Sequence, residues 1–310
     1  MEDIYKNLLS LETTPQALDA TAQYLADKMQ PFLYAQEPVL ICYPDEGAAS
    51  LGGIFKEAVL RCNAKPVFWG PDFRWKELLR LAFETHANTV IAHPLVALGL
   101  MKIARATATP LYIYDLIVCG DPFSYWMVED LKKGLDCHVW GCYAVRSGPV
   151  VAGFSCEQES GIHIREEVFE PLLHSNTDGK TAGNRGRLYF AASKDPEQVF
   201  DPEQLALIHY QNCACGCDGP VIAEVASLAQ TDLSREMLEN EFLAWSSVLD
   251  YRAEMTESGM SLELVIFPGE SLPKVPSVAK LNVRPWNPDD IPFCMQKYTA
   301  KIPEKIYERD

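Results

Sequence analysis

Cys156, His163, Cys213 and Cys215 carry the donor types that structural zinc sites use, thiolate sulfur and imidazole nitrogen. Gly216 follows the Cys-x-Cys pair and permits a tight turn that aims both sulfurs at one point. Cys156 and His163 flank a turn containing Gly161, which can bring those two together, and Cys217 is a spare ligand. The plainer alternative makes the cysteines small buried hydrophobes and the histidine a surface residue. A redox dithiol at Cys213 and Cys215 fits less well, because the Cys-x-x-Cys spacing at a helix start is missing.

A second group marks a ligand pocket. Asp121-Pro122-Phe123-Ser124 follows a strand pattern and opens a helix pattern. In a parallel sheet, ligands bind outside the carboxyl ends of the strands. Asp121, Pro122, Phe123, Trp140, Gly141 and Tyr143 are therefore the candidate ligand-binding residues. Two alternatives stand beside this: Asp121 or Ser124 caps the helix, and the aromatics pack the core. The small-residue loop 47–53 lacks a Gly-x-Gly-x-x-Gly spacing and a Walker lysine, so close helix–sheet packing is its default explanation. His86 and His93 stand alone and read as structural.

The elements that must position these residues alternate. Thr14-Pro15 reads as an N-cap followed by proline at the first helical position. Apolar runs at 38–43, 66–69, 89–92, 111–119 and 137–140 read as buried strands. Helix patterns lie between them, with Asp72 as one cap and 123–134 as the last. This predicts an α/β fold: a parallel-rich sheet flanked by helices. After Gly148 the pattern changes to shorter strands at 150–154, 162–164 and 187–191. A smaller α+β unit is expected from about Val221, with Ser234 capping a helix through Leu243, strands at 248–253 and 262–267, and an irregular proline-rich tail. The expected domains are 1–222 and 223–310.

Composition excludes some partners. The 310 residues carry a formal net charge of −16, which repels nucleic-acid phosphates and anionic lipid. The most apolar stretch, 90–104, contains His93, Pro94 and Lys102 and is too short and too polar to span a bilayer. The start, Met1-Glu2-Asp3, does not read as a signal peptide, and ten cysteines fit a reducing cytoplasm.

Four segments occur in a telling order: Cys119-Gly120-Asp121-Pro122-Phe123-Ser124, Val139-Trp140-Gly141-Cys142-Tyr143-Ala144, Cys156 with His163, and Cys213-Ala214-Cys215-Gly216. This order resembles the phenylacetate–CoA ligase and coenzyme F390 synthetase branch of the adenylate-forming superfamily. There a strand ends in Gly-Ala-Glu-Pro-Trp-Thr, Tyr-Gly-Leu-Ser-Glu follows, then a Cys with a His seven residues on, then Cys-x-Cys-Gly. The resemblance implies that Lys297, after Ile291-Pro292, stands where a small-domain lysine contacts the forming adenylate.

The departures bear on activity. The family's glycine-rich phosphate loop is replaced by Ser10-Leu11-Glu12-Thr13-Thr14-Pro15, which lacks glycine and adds a negative charge. The Mg²⁺-holding glutamate is replaced by Ala144, which has no oxygen to offer a hard cation. The ribose-gripping aspartate falls near Gln204. The resemblance therefore implies a degenerate or repurposed ligase-like protein that binds an acyl or aryl carboxylate or a nucleotide-like ligand without efficient adenylation. Two alternatives remain: an active ATP-dependent acyl- or aryl-CoA ligase, and a subunit of a hetero-oligomeric ligase whose partner supplies the missing N-terminal part; assembly as a homo- or hetero-oligomer is open. Zinc is the expected cofactor; ATP with Mg²⁺ fits poorly, and no residue assigns a CoA site.

Overall fold

Short apolar runs form five strands: β1 (Pro38–Ile41), β2 (Lys65–Phe68), β3 (Thr89–Ala92), β4 (Asp115–Cys119) and β5 (His138–Ala144). They pair parallel in the order β2-β1-β3-β4-β5. The computed structural model describes residues 14–70, 72–121, 123–144, 150–158, 161–174, 184–193, 195–210, 212–227, 242–270 and 278–296. The helix α1 (Pro15–Met29) precedes β1, and α2 (Leu51–Arg61), α3 (Trp75–Glu84), α4 (Pro94–Ala106) and α5 (Tyr125–Leu135) run between the strands. Side chains alternate across each strand. Val39, Ile41, Ile91 and Ile117 pack with residues of α1 and α2 on one face. Leu40, Cys42, Val90 and Leu116 pack with residues of α3, α4 and α5 on the other.

The helix starts show local and tertiary control side by side. Thr14 caps α1 as its sequence implies, accepting from Ala17 N at 3.2 Å, with Pro15 opening the helix. Asp72 does not cap α3, which starts later, at Trp75. Its first amides instead donate to carbonyls of the C-terminal segment, Trp75 N to Asp290 O at 3.1 Å and Lys76 N to Pro288 O at 2.9 Å. The strand expected at 111–119 is confined to Asp115–Cys119, where β3 offers partners. The strand expected at 137–140 runs on to Ala144, because β6 pairs with its far end.

From β5 onward the same sheet becomes antiparallel. Its added strands are β6 (Val151–Ser155), β7 (Ile162–Ile164), β8 (Phe169–His174), β9 (Arg185–Ala192), β10 (Asp195–His209) and β11 (Val221–Ser227), in the spatial order β6-β7-β11-β10-β9-β8. The sequence pattern shows β6, β7 and β9 but not β8 or β10. Strand β11 belongs to this large sheet, paired with β7 and β10, so a boundary at 222/223 runs through a strand. A smaller sheet holds β12 (Val248–Thr256), β13 (Gly259–Ile266) and β14 (Lys280–Pro285). The expected irregular tail thus contains a strand, which pairs parallel with β13. The cap Ser234 and most of its expected helix, Glu12 and Lys297 lie outside the described residues.

The small sheet shares a core with the large one. Phe242, Leu243, Val248, Leu262 and Leu264 are buried in the same cluster as Val96, Leu100 and Ile103 of α4. Lys102 ties them together. Its Nζ donates to Leu243 O, Trp245 O and Val248 O at 2.6, 3.0 and 2.7 Å. Burial pulls this amine down to about 7, while the three carbonyls favour its charged form. Lys102→Met leaves those carbonyls without their donor. The expected cost is about 2 kcal/mol, measured as a lower urea midpoint at unchanged slope.

Candidate functional site

The cysteine–histidine cluster forms where the antiparallel strands meet. Cys156 follows the end of β6, and His163 lies in the middle of β7, registered opposite Phe154 and Val221. Period two turns His163 away from Ile162 and Ile164, which pack in the adjoining core. Cys213 and Cys215 sit in a tight loop before β11, closed by Gly216 N donating to Cys213 O at 3.0 Å and Cys213 N donating to Cys217 O at 3.2 Å. One ligand atom from each of Cys156, His163, Cys213 and Cys215 lies within 4.8 Å of all the others. Cys217 is outside this group. The separations are 3.6 Å for Cys156 Sγ to Cys213 Sγ, 3.3 Å for His163 Nε2 to Cys156 Sγ, and 3.6 Å for Cys215 Sγ to His163 Nε2. A tetrahedral Zn²⁺ ion with its usual bond lengths sets sulfurs about 3.8 Å apart and nitrogen about 3.6 Å from sulfur. The donor set and its spacing fit such an ion. His163 is buried rather than a surface residue.

A cavity of about 560 Å³ lies on one face of β5. Asp121 and Phe123 reach it from the segment after β4, Gly141 and Tyr143 from β5, and Gln204 from β10. Gly141 lets the Phe123 ring approach the strand: a Cβ would sit 2.9 Å from the ring tip and displace it. Trp140 does not join them. The alternation along β5 turns it to the opposite face, where it stacks on Phe32 with centroids 4.6 Å apart and donates to Asp115 Oδ1 at 2.8 Å. Pro122 lies outside the described residues.

Asp121 is not a helix cap. Its Oδ2 lies 2.5 Å from His93 Nε2. His93 Nδ1 accepts from Leu95 N at 3.2 Å at the start of α4, so Nε2 carries the proton and donates to Asp121. His93 is fully buried and fixes the Asp121 carboxylate at the cavity wall. The sequence held a signal for this pair: both residues follow adjacent parallel strands at their carboxyl ends. Ser124 takes the N-cap position of α5 but makes no side-chain cap bond. Ser124 Oγ and Trp126 Nε1 are buried without a hydrogen-bond partner among the described residues, and both residues line the cavity.

At the positions where the family resemblance places ribose and metal contacts, this cavity differs. Tyr143 donates its hydroxyl to Gln204 Oε1, which occupies the amide oxygen of Gln204. Ala144 lines the cavity, while its methyl packs in the core beside Val151 and Phe154. The neighbouring carboxylate of Asp201 is engaged by the Arg187 guanidinium. Mg²⁺ therefore finds no carboxylate at position 144.

No protein-family model matches the chain, and no curated protein matches it. Solved structures share its fold. A 2-hydroxyisobutyryl-CoA ligase in a postadenylation state superposes with a TM-score of 0.66 at 15% identity, over 88% of this chain and 67% of that one. A benzoate CoA ligase from Burkholderia xenovorans LB400 gives 0.55 at 9% identity, over 90% and 65%. An amide bond synthetase from Marinactinospora thermotolerans gives 0.53 at 11%, over 85% and 62%. The chain therefore has the fold of adenylate-forming ligases and spans about two thirds of their length.

Gly161 tests how the cluster is held. It has φ +124°, and a Cβ there would lie 2.4 Å from Ile222 O on β11. Gly161→Ala must push β11 from β7, the strand that carries His163. A loss of about 2 kcal/mol is expected, read by chemical denaturation.

Proposed function

We propose that this protein is a repurposed member of the adenylate-forming ligase fold, akin to the phenylacetate–CoA ligase branch. It binds a small acyl or aryl carboxylate, or a nucleotide-like ligand, without efficient ATP-dependent adenylation. The observation that carries this reading is the Tyr143–Gln204 hydrogen bond beside Ala144. A neutral amide engaged by Tyr143 stands at the ribose position in place of a carboxylate, and Ala144 leaves the metal position without a side-chain oxygen. Phosphoryl and adenylyl chemistry depends on charge neutralisation at the phosphates, so these losses act on the dominant catalytic contribution.

The cavity keeps features that suit a ligand. Asp121, held by His93, accepts an N–H or O–H of the ligand. Lys132 and Arg185 border the same space and supply positive charge for a carboxylate, although Glu129 already pairs with Lys132 and Glu224 with Arg185. Ser124 Oγ and Trp126 Nε1 are two donors awaiting acceptors. The structural neighbour 2-hydroxyisobutyryl-CoA ligase is described with an acyl-AMP and CoA bound, which supports a carboxylate-derived ligand for this fold. Two domains remain our proposal, with the 1–222 unit extended to residue 227, where the last strand of the large sheet ends, and the smaller unit after it.

Calorimetry with MgATP decides between this reading and an active ligase. No binding tighter than about 1 mM is expected. Micromolar, magnesium-dependent binding, or CoA-ester formation from any of a panel of carboxylates, favours the active enzyme.

Cys156, His163, Cys213 and Cys215 are proposed to hold one structural Zn²⁺, all four positions filled by protein. The ion would clip the β6–β7 turn to the loop before β11, offsetting the entropy of closing about fifty residues of chain. Protein purified without chelator should contain about one equivalent of zinc. Cys213→Ser should lose most of it and lower the melting temperature by about 5 °C. Less than about a tenth of an equivalent in the unaltered protein returns these residues to ordinary packing roles.

A further inference from the structure

A second cavity, of about 430 Å³, opens at the other end of the parallel strands, near Asn88, Asp115 and His138 at the amino ends of β3, β4 and β5. Asp121 and its cavity stand beyond the carboxyl end of β4; of the lining residues, Val139 alone borders both spaces. The walls of the second cavity combine two chemistries. Phe32, Tyr34, Tyr114 and Trp140 give aromatic surface. Glu37, Asp115 and Glu157 give carboxylates, and none of the described residues lining it is a lysine or arginine.

Glu37 and Asp115 are each only 9% exposed. Each has one oxygen fixed by a neutral donor: Glu37 Oε2 accepts from Tyr34 N at 3.0 Å, and Asp115 Oδ1 accepts from Trp140 Nε1 at 2.8 Å. These bonds orient the carboxylates without supplying a full counter-charge; the His138 ring at the cavity edge acts on Asp115 in favour of its charged form. Burying such charge is costly unless a counter-charge is present. Desolvation accordingly pushes the Asp115 carboxyl up from its ordinary range. The aromatic surface is rigid on one side, where Trp140 and Phe32 stack with planes 10° apart. It is open on the other, where Tyr34 and Tyr114 are 74% and 59% exposed. Carboxylates and aromatic faces attract the same kind of ligand. The negative face of a ring quadrupole binds a desolvated cation, and ammonium groups are the usual guests.

We propose that this cavity binds a small alkylammonium ion, primary or N-methylated, with Glu37 and Asp115 as counter-charges and Trp140, Tyr34 and Tyr114 as aromatic walls. The full-length chain is titrated with choline and with n-propylammonium, by calorimetry and by tryptophan fluorescence. The neutral isostere 3,3-dimethyl-1-butanol serves as the comparison. At least one cation is expected to bind with a millimolar or tighter Kd, about tenfold tighter than the isostere. Choline alone assigns a methylated ammonium, and n-propylammonium alone a primary one. Glu37→Gln and Asp115→Asn keep an acceptor for Tyr34 N and for Trp140 Nε1 while removing charge. Each should weaken the cation about fivefold and leave the isostere unchanged. Equal affinity for cation and isostere, no binding of either cation at about 10 mM, or full affinity in both variants overturns the proposal. None of these readouts depends on the cavity beside Asp121.

Discussion

The continuous hydrogen-bonded ladder from β4 through β5, β6 and β7 to β11 is the constraint on which the rest of this structure hangs. Strand β5 pairs parallel with β4 on one side and antiparallel with β6 on the other. It thereby joins a helix-covered parallel half to an antiparallel half within one sheet of eleven strands. Because strand side chains alternate, the register of β5 decides which residues meet which space. Gly141 and Tyr143 reach the cavity beside Asp121, while Trp140 goes to the other face and walls the second cavity. A slip of one residue would exchange these roles. The same ladder sets His163 against Phe154 and Val221, which puts its imidazole within reach of Cys156, Cys213 and Cys215.

The two cavities are chemically distinct for a topological reason. Parallel strands leave one end of the sheet to the connections that follow each strand, and there His93 and Asp121 meet from adjacent strands. The opposite end collects what precedes each strand. Asn88, Tyr114, Asp115 and His138 gather there beside the segment that leads from α1 into β1. A carboxylate stands at both ends with different partners: a histidine holds the half-buried Asp121, and an indole N–H holds the buried Asp115.

The small sheet is not an independent lobe in its packing. Its apolar residues share a cluster with α4, Lys102 spans from that helix to three carbonyls, and the segment at 288–290 supplies acceptors to the first turn of α3. Lys76 and Arg74 add exposed ion pairs to Asp289, which screening makes weak contributors beside the buried contacts.

Local chemistry in the sequence determined a good deal. Uniformly apolar runs marked the buried parallel strands, Thr14-Pro15 marked the start of α1, and the spacing of Cys156, His163, Cys213 and Cys215 marked a cluster that the fold does assemble. These features were legible because each depends on neighbours in sequence or on donor types alone. Long-range pairing decided the rest. Strand β10, with charged residues and Pro202 along its length, becomes a strand because β9 and β11 flank it. Strand β11 joins the large sheet because β7 offers it an edge. The cap of α3 comes from residues more than two hundred positions away. His93, read as a lone structural histidine, acquires its role only when the parallel pairing of β3 and β4 brings it to Asp121. Trp140 looks like a pocket residue in sequence and leaves the pocket because a strand must turn successive side chains to opposite faces.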